Sequence, residues 1–358
     1  MKLRYRIIFF LIGLAGIGVM LWQSDLKNVP WQNLLAAKTL LFLAGLLVLW
    51  LGIYMLHVAC YYVILGEEGK KVPVLSLLKI CVSGFALNSV TPAGLIGGEP
   101  YRIMSLKKYC STEKASSSTL TFSLFHIVGH FAIWLTGAIV YFATGHFGDT
   151  VTDILMILTV IVTVLFLVAF FLSKKRGFVR PFMALLTKIP LIKKPMKKKY
   201  DQNVAKYREI DQNIREFRGT RSRFWTVFFL QYLTRVLECF EYYLIFKYLG
   251  ANVYPLDGIL IMVMASLIGN IIVFIPMQAG SRELGAYMAL DLLHIEQIGP
   301  MGLILYRVRD FTCILIGVLL IVFDKKKEKA ESESEQTAAA EDPRGSEETA
   351  AENSGDKE

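Results

Sequence analysis

Asn88-Ser-Val-Thr-Pro-Ala-Gly-Leu-Ile-Gly-Gly-Glu-Pro-Tyr-Arg102 follows an apolar run and carries two prolines, three glycines, an acid and a base. Pro92 and Pro100 lack an N–H, and glycine holds a helix poorly, so the spacing predicts a backbone break here. A broken backbone at membrane depth survives only where protein or a wet cavity surrounds it. A second stretch, Asn270-Ile-Ile-Val-Phe-Ile-Pro-Met-Gln-Ala-Gly-Ser-Arg-Glu283, repeats Asn, Pro, Gly and Glu in the same order, with Arg102 or Arg282 close to the acid. Two interrupted apolar segments in corresponding halves of a chain point to a transport site.

The surrounding composition fits that reading. Of 358 residues, 54% are hydrophobic, and the mean hydropathy is +0.47. Such values indicate a polytopic membrane protein rather than a soluble one. The net charge of +9 conceals an asymmetry: residues 328–358 hold eleven acids and three bases, so 1–327 is near +17. A basic membrane body suits anionic lipid. The bases flank apolar spans, so nucleic acid is not the expected partner. The five cysteines show no paired spacing and read as small hydrophobes, without disulfide or metal.

Taken in order, residues 1–172 form a first membrane half. Lys2, Arg4 and Arg6 precede the apolar run Ile7–Trp22, read as an uncleaved first span with the N-terminus inside. Asn33–Leu65 is a second run, 72–106 contains the first break, and Ser116–Ala143 and Val151–Leu172 are two more spans. Residues 173–223 carry sixteen Lys/Arg against four acids, with Tyr200, Val204, Tyr207, Ile210, Ile214 and Phe217 on one helical face. This predicts a basic amphipathic segment in the cytoplasm or at the membrane surface, a solvated linker helix being the alternative. Residues 224–327 form the second half: Phe224–Leu249, the second broken segment at 255–298, and Gly299–Phe323. Residues 328–358 have almost nothing to bury and read as a disordered acidic tail.

Charge parity sets the topology. A single crossing by 72–106 would place the sixteen bases of 173–223 outside, against the positive-inside rule. A single crossing by 255–298 would do the same to Lys325–Lys329. If both segments enter and leave on one side, both basic regions stay inside. The expectation is therefore an all-α polytopic membrane protein of about six full transmembrane helices plus two re-entrant hairpins in an inverted repeat, with both termini cytoplasmic.

Ten ionisable residues fall at membrane depth: Glu99, Glu238, Glu241, Glu283 and Asp310, with Arg102, Arg235, Arg282, Arg307 and Arg309. A charge at the bilayer centre costs roughly 2.5–3.5 kcal/mol on insertion scales, so these groups must pair. Arg235, three residues before Glu238, shares its helix face. Asn88, Thr91, Asn270 and Gln278 are neutral partners, and Gly97, Gly98 and Gly280 permit close backbone approach. The set reads either as a headgroup cavity or as a structural ion-pair network. Arginine suits a phosphate through its bidentate fork. His126 and His130, four apart, share a face. They read as an interhelical polar contact, since no further ligand accompanies them to hold a metal. No nucleotide, hydrolase or zinc-protease motif is present, and neither a cofactor nor a catalytic residue is assigned.

At the two breaks the chain resembles the flippase-like family named after the transmembrane region of lysylphosphatidylglycerol synthase. The resemblance is carried by Asn88, Thr91-Pro92, Gly97-Gly98-Glu99 and Arg102, and by Pro276, Gly280 and Arg282-Glu283, and spans about residues 5–325. Where many members have a Gly-rich second loop, Met277-Gln278-Ala279 stand here. The resemblance implies a bacterial-type plasma-membrane protein that moves a lipid between leaflets. The partners it implies are an anionic phospholipid or a polyprenyl-linked lipid, and it leaves room for a homo-oligomer. Two alternatives remain open at this point. One is a membrane-embedded transferase on a lipid-linked donor, with Glu99 or Asp310 as base. The other is a non-catalytic partner of a lipid synthase.

Overall fold

The structure is a computed structural model that describes residues 36–90, 98–146, 148–172, 179–187, 220–271 and 275–341, with scattered positions between 197 and 217. The first expected span, Ile7–Trp22, lies outside the described residues, as do Thr91, Pro92, Gly97 and 342–358.

The described chain is all-helical. The helices are α1 (Ala37–Leu65), α2 (Val74–Val90), α3 (Gly98–Leu106), α4 (Thr112–Ala143), α5 (Thr150–Leu172), α6 (Val179–Leu186), α7 (Arg221–Tyr248), α8 (Pro255–Ile271), α9 (Ser281–Leu292) and α10 (Gly299–Glu341). Short 3-10 turns occupy Gly66–Lys71, Pro276–Gln278 and Glu296–Ile298. Among the described residues three segments are long and apolar enough to cross a membrane: Ala37–Lys71, Thr112–Ala143 and Thr150–Leu172. On α5 the side chains of Ile154, Ile157, Leu158, Ile161, Leu165 and Val168 are exposed, as on a helix that faces lipid. α7 is as long, but its buried face carries Arg235, Glu238 and Glu241, so its apolar character is diluted by groups that face protein.

The backbone breaks where glycine and proline predict. α2 ends at Val90 and α3 begins at Gly98; α8 ends at Ile271 and α9 begins at Ser281. α8 and α9 pack on each other more extensively than any other described pair, because Gly285 brings their backbones together. A Cβ there would collide with the Met264 carbonyl, and small residues allow this approach inside a membrane. α10 packs along α2, where Ser83 donates to the Gly317 carbonyl (3.0 Å). α2 also meets the turn at Pro276–Gln278, so the two broken segments touch.

Two apolar cores result. The lower one gathers the end of α1, α2, the start of α4 and the start of α7, around Tyr61, Phe122, Phe125 and Phe224. The upper one gathers the end of α4, the end of α7, α8, α9 and the start of α10, around Tyr141, Phe246, Met262 and Leu305. Along α1 the residues between them are Trp50, Tyr54 and His57; along α4, His126 and His130; along α7, Arg235 and Glu238. A polar layer therefore separates the cores.

Two findings differ from the sequence reading. α10 continues past Phe323 to Glu341, into the tail expected to be disordered. Ala, Glu and Lys are strong helix formers, and a helix already nucleated needs no packed face to extend. The basic segment is not free of the bundle either. Phe217 stacks edge-on against Phe125 (5.7 Å), and Asp211 is buried and accepts from the Arg180 N–H (3.0 Å). Tyr207 also packs on the lower core, so part of the face predicted to meet lipid meets protein.

Candidate functional site

The polar layer contains a cavity of about 330 Å³. Its walls include Asn88 at the end of α2, Asn270 on α8, Met277 and Gln278 in the second break, and Arg282 on α9. Arg235 and Glu238 come from α7, and Arg307 and Asp310 from α10. Trp50, Tyr54, Phe85 and Tyr306 supply aromatic wall. This volume is at the small end of the range for ligand pockets.

Four of the five membrane-depth arginines are paired with carboxylates. Arg235 Nη1 donates to both oxygens of Glu238 (2.8 and 2.6 Å) and Nη2 to the His126 ring (2.8 Å to Nδ1). Arg309 Nη2 donates to Glu241 Oε2 (2.6 Å), which also accepts from the Trp50 indole (3.0 Å), and the guanidinium sits 4.2 Å over the Trp50 ring. Arg307 bonds Glu283 and lies 3.4 Å from Asp310, which Arg309 also reaches at 3.2 Å. Arg102 lies 3.8 Å from Glu99. Breaking one such buried pair leaves a stranded charge and costs about 3–5 kcal/mol.

Arg282 differs. Among the described residues it has no carboxylate within 4 Å. It donates to Tyr242 Oη and Gln278 Oε1, both at a long 3.4 Å, and lies 5.2 Å from the Tyr306 ring centroid. A guanidinium has five donors in a fork that fits a phosphate. The cavity wall holds three guanidiniums, Arg235, Arg282 and Arg307, against two carboxylates, Glu238 and Asp310. It is therefore net cationic, although the ten groups together balance.

Each break is locked by a glycine N–H. Asn88 Oδ1 accepts from Gly98 N–H (2.7 Å) in the first, and Glu283 Oε2 from Gly280 N–H (2.8 Å) in the second. Asn270 is tied instead to the Ser266 carbonyl (2.6 Å) and to Gln278 (3.3 Å). Met277 (φ 59°) and Gln278 (φ 51°) adopt the left-handed conformation that favours glycine. Arg307 donates to both their carbonyls (3.2 and 3.5 Å), and such clamping is what lets a strained turn persist.

The residues predicted from sequence thus separate into two groups. Asn88, Arg235, Glu238, Asn270, Gln278, Arg282, Arg307 and Asp310 line the cavity. Gly98, Glu99, Arg102, Glu241, Gly280, Glu283 and Arg309 do not; they stand behind it or hold its frame. Glu99 accepts from Ser123 (2.9 Å), and Arg102, 1% exposed, stacks 4.4 Å from the Phe85 centroid. Thr91 and Gly97 lie outside the described residues. Sequence reasoning missed His57, Trp50, Tyr54, Phe85 and Tyr306 in the wall. A histidine inside an otherwise apolar span was the one available signal. His126 and His130, read as interhelical contacts, also line the cavity.

Comparison with known proteins agrees with this architecture. No curated protein and no solved structure gave a match to the chain. The family described as "Lysylphosphatidylglycerol synthase TM region" matches residues 6–317, nearly the whole membrane body. Its match runs through both broken segments, the cavity between them and the flanking apolar helices: this chain is a membrane-embedded member of the lysylphosphatidylglycerol synthase transmembrane-region family.

Proposed function

We propose that this protein moves a phosphate-bearing lipid, a phospholipid or a polyprenyl-linked one, between the leaflets of a plasma membrane. The observation that carries this reading is Arg282, a guanidinium without a carboxylate partner among the described residues, in the wall of a polar cavity at the meeting point of two broken helices. The phosphate engages Arg282, with Arg307 and Arg235 adding long-range attraction. The acyl chains stay in lipid while the headgroup crosses the polar layer. In this reading α2–α3 and α8–α9 are re-entrant hairpins, opening to the cytoplasm and to the exterior respectively. They form an inverted repeat within six full spans, and both termini are cytoplasmic.

The transferase alternative has less support. Glu99 is held by Ser123 and faces Arg102, and Asp310 is held by Arg307 and Arg309, so neither is set up to take a proton from a nucleophile.

The test uses the full chain in proteoliposomes with fluorescent phosphatidylglycerol, its leaflet read by a membrane-impermeant quencher. Wild type is expected to speed exchange above protein-free vesicles, and Arg282→Gln to slow it by about tenfold or more, the value of a charge-assisted bond. Equal rates in wild-type and protein-free vesicles would sink the reading for that lipid.

A further inference from the structure

Three imidazoles share the cavity wall, one from α1 and two from α4. The ring centroids of His57 and His126 are 5.7 Å apart, and those of His126 and His130 are 5.2 Å apart. His57 is 2% exposed. A buried histidine normally has both ring nitrogens satisfied. Here Nδ1 of His57 and Nδ1 of His130 have no hydrogen-bond partner among the described residues. An unmade buried hydrogen bond costs about 1–3 kcal/mol, so these two nitrogens are not explained as interhelical contacts. His126 is different: Arg235 only donates, so the ring nitrogen it meets carries no proton.

The groups facing the three rings come from five elements. His57 packs on Phe85 of α2 and on Phe122 and His126 of α4, with Arg102 of α3 and Arg235 of α7 as its charged neighbours. His126 meets Arg235, His57 and His130, with Arg102 beyond. His130 lies beside Trp134, with Arg235 and with Arg282 of α9 as its charged neighbours. The acids of the same wall, Glu238 and Asp310, are already engaged by Arg235 and by Arg307 and Arg309. A proton on these rings therefore faces only cations until an anion arrives at Arg282. An anion there reverses the local field beside two open proton acceptors.

We propose that the cavity takes up an acidic headgroup together with a proton, with His57 and His130 as the proton acceptors. This rests on the headgroup reading above and adds to it the coupling ion. The proton comes from the aqueous phase that the headgroup leaves. It adds to a ring-nitrogen lone pair to form an imidazolium and is released again when the headgroup departs; no electron moves. The coupling makes a proton gradient a source of direction for the exchange.

The test is calorimetric titration of the purified full chain with dihexanoyl phosphatidylglycerol at pH 7, in buffers of low and high ionisation enthalpy. The expected result is uptake of up to about one proton per bound lipid, with binding tightening by up to about tenfold per pH unit on acidification. In the double variant His57→Gln, His130→Gln, the uptake is expected to vanish and the remaining binding to lose its pH dependence. Binding with buffer-independent heat in wild type overturns the coupling and leaves the headgroup reading standing, whereas no binding overturns both. Undiminished uptake in the double variant overturns the histidine assignment. Should that variant fail to fold, histidine-selective nitrogen NMR on wild type decides. Of the chain's five histidines, His57 and His130 should together gain about one imidazolium equivalent on saturation, and no movement overturns the proposal.

Discussion

The two broken segments use the same residue types to opposite ends. In the first, Arg102 is sealed between Phe85 and Phe122, and Asn88 ties the end of α2 to Gly98 at the start of α3. In the second, the acid rather than the asparagine caps the glycine, Arg307 from α10 clamps the turn, and Arg282 stands on the cavity wall with no carboxylate beside it among the described residues. A guanidinium stacked between rings beside its acid holds a frame. One with no carboxylate beside it among the described residues is available to a ligand. Arg282 and Glu283 are consecutive on α9 and so point apart, and Arg307 of α10 meets Glu283 instead.

The largest effect that tests this contrast is on stability. Arg102→Ala strands Glu99 and is expected to cost about 3–5 kcal/mol, while Arg282→Ala strands no carboxylate and should cost about 1 kcal/mol or less. Thermal unfolding in detergent measures both; equal shifts would erase the distinction. Next, Arg282→Gln should weaken binding of dihexanoyl phosphatidylglycerol by about tenfold or more without moving the melting temperature much. Met277→Gly relieves a left-handed methionine in the second break while keeping the carbonyl that Arg307 clamps, and should stabilise by about 1 kcal/mol. A destabilised Met277→Gly would show the turn to be unstrained. Asn88→Ala should cost about 1 kcal/mol, the value of one hydrogen bond, at the first break only.

The smallest effect lies at the exposed 3-10 turn that follows α1. Lys70 bonds Glu67 at 2.6 Å on the surface and draws its carboxyl below the usual range. A depressed folded pKa stabilises above the unfolded value and fades as pH falls through the folded one. The contribution should therefore be present at neutral pH and be lost in acid below about pH 4.5, the ordinary glutamate value. It should also vanish in high salt, because the pair is exposed. Melting of Glu67→Gln against wild type at pH 7 and in acid reads it.

Some of the site was legible in the sequence. The pairs Arg235–Glu238 and Glu99–Arg102 follow from spacing, since residues three apart share a helix face. Glu241 with Arg309, and Glu283 with Arg307, could not be read that way: 68 and 24 residues separate the partners, and several carboxylates were equally eligible. His57 stayed hidden because one histidine in an apolar span carries no periodicity.

The chain alone determined that it is helical, that it lives in a membrane, and that one helix ends at Val90 before the next begins at Gly98, with a second interruption at Pro276. Those properties depend on residue type and local order: apolar length, missing N–H groups and glycine freedom act within a few residues. Only the tertiary arrangement decided which acid answers which arginine, and therefore which arginine has none. That choice depends on how α10 crosses the two broken segments, and electrostatic partnership in a low-dielectric interior is settled by distance in space, not by distance along the chain.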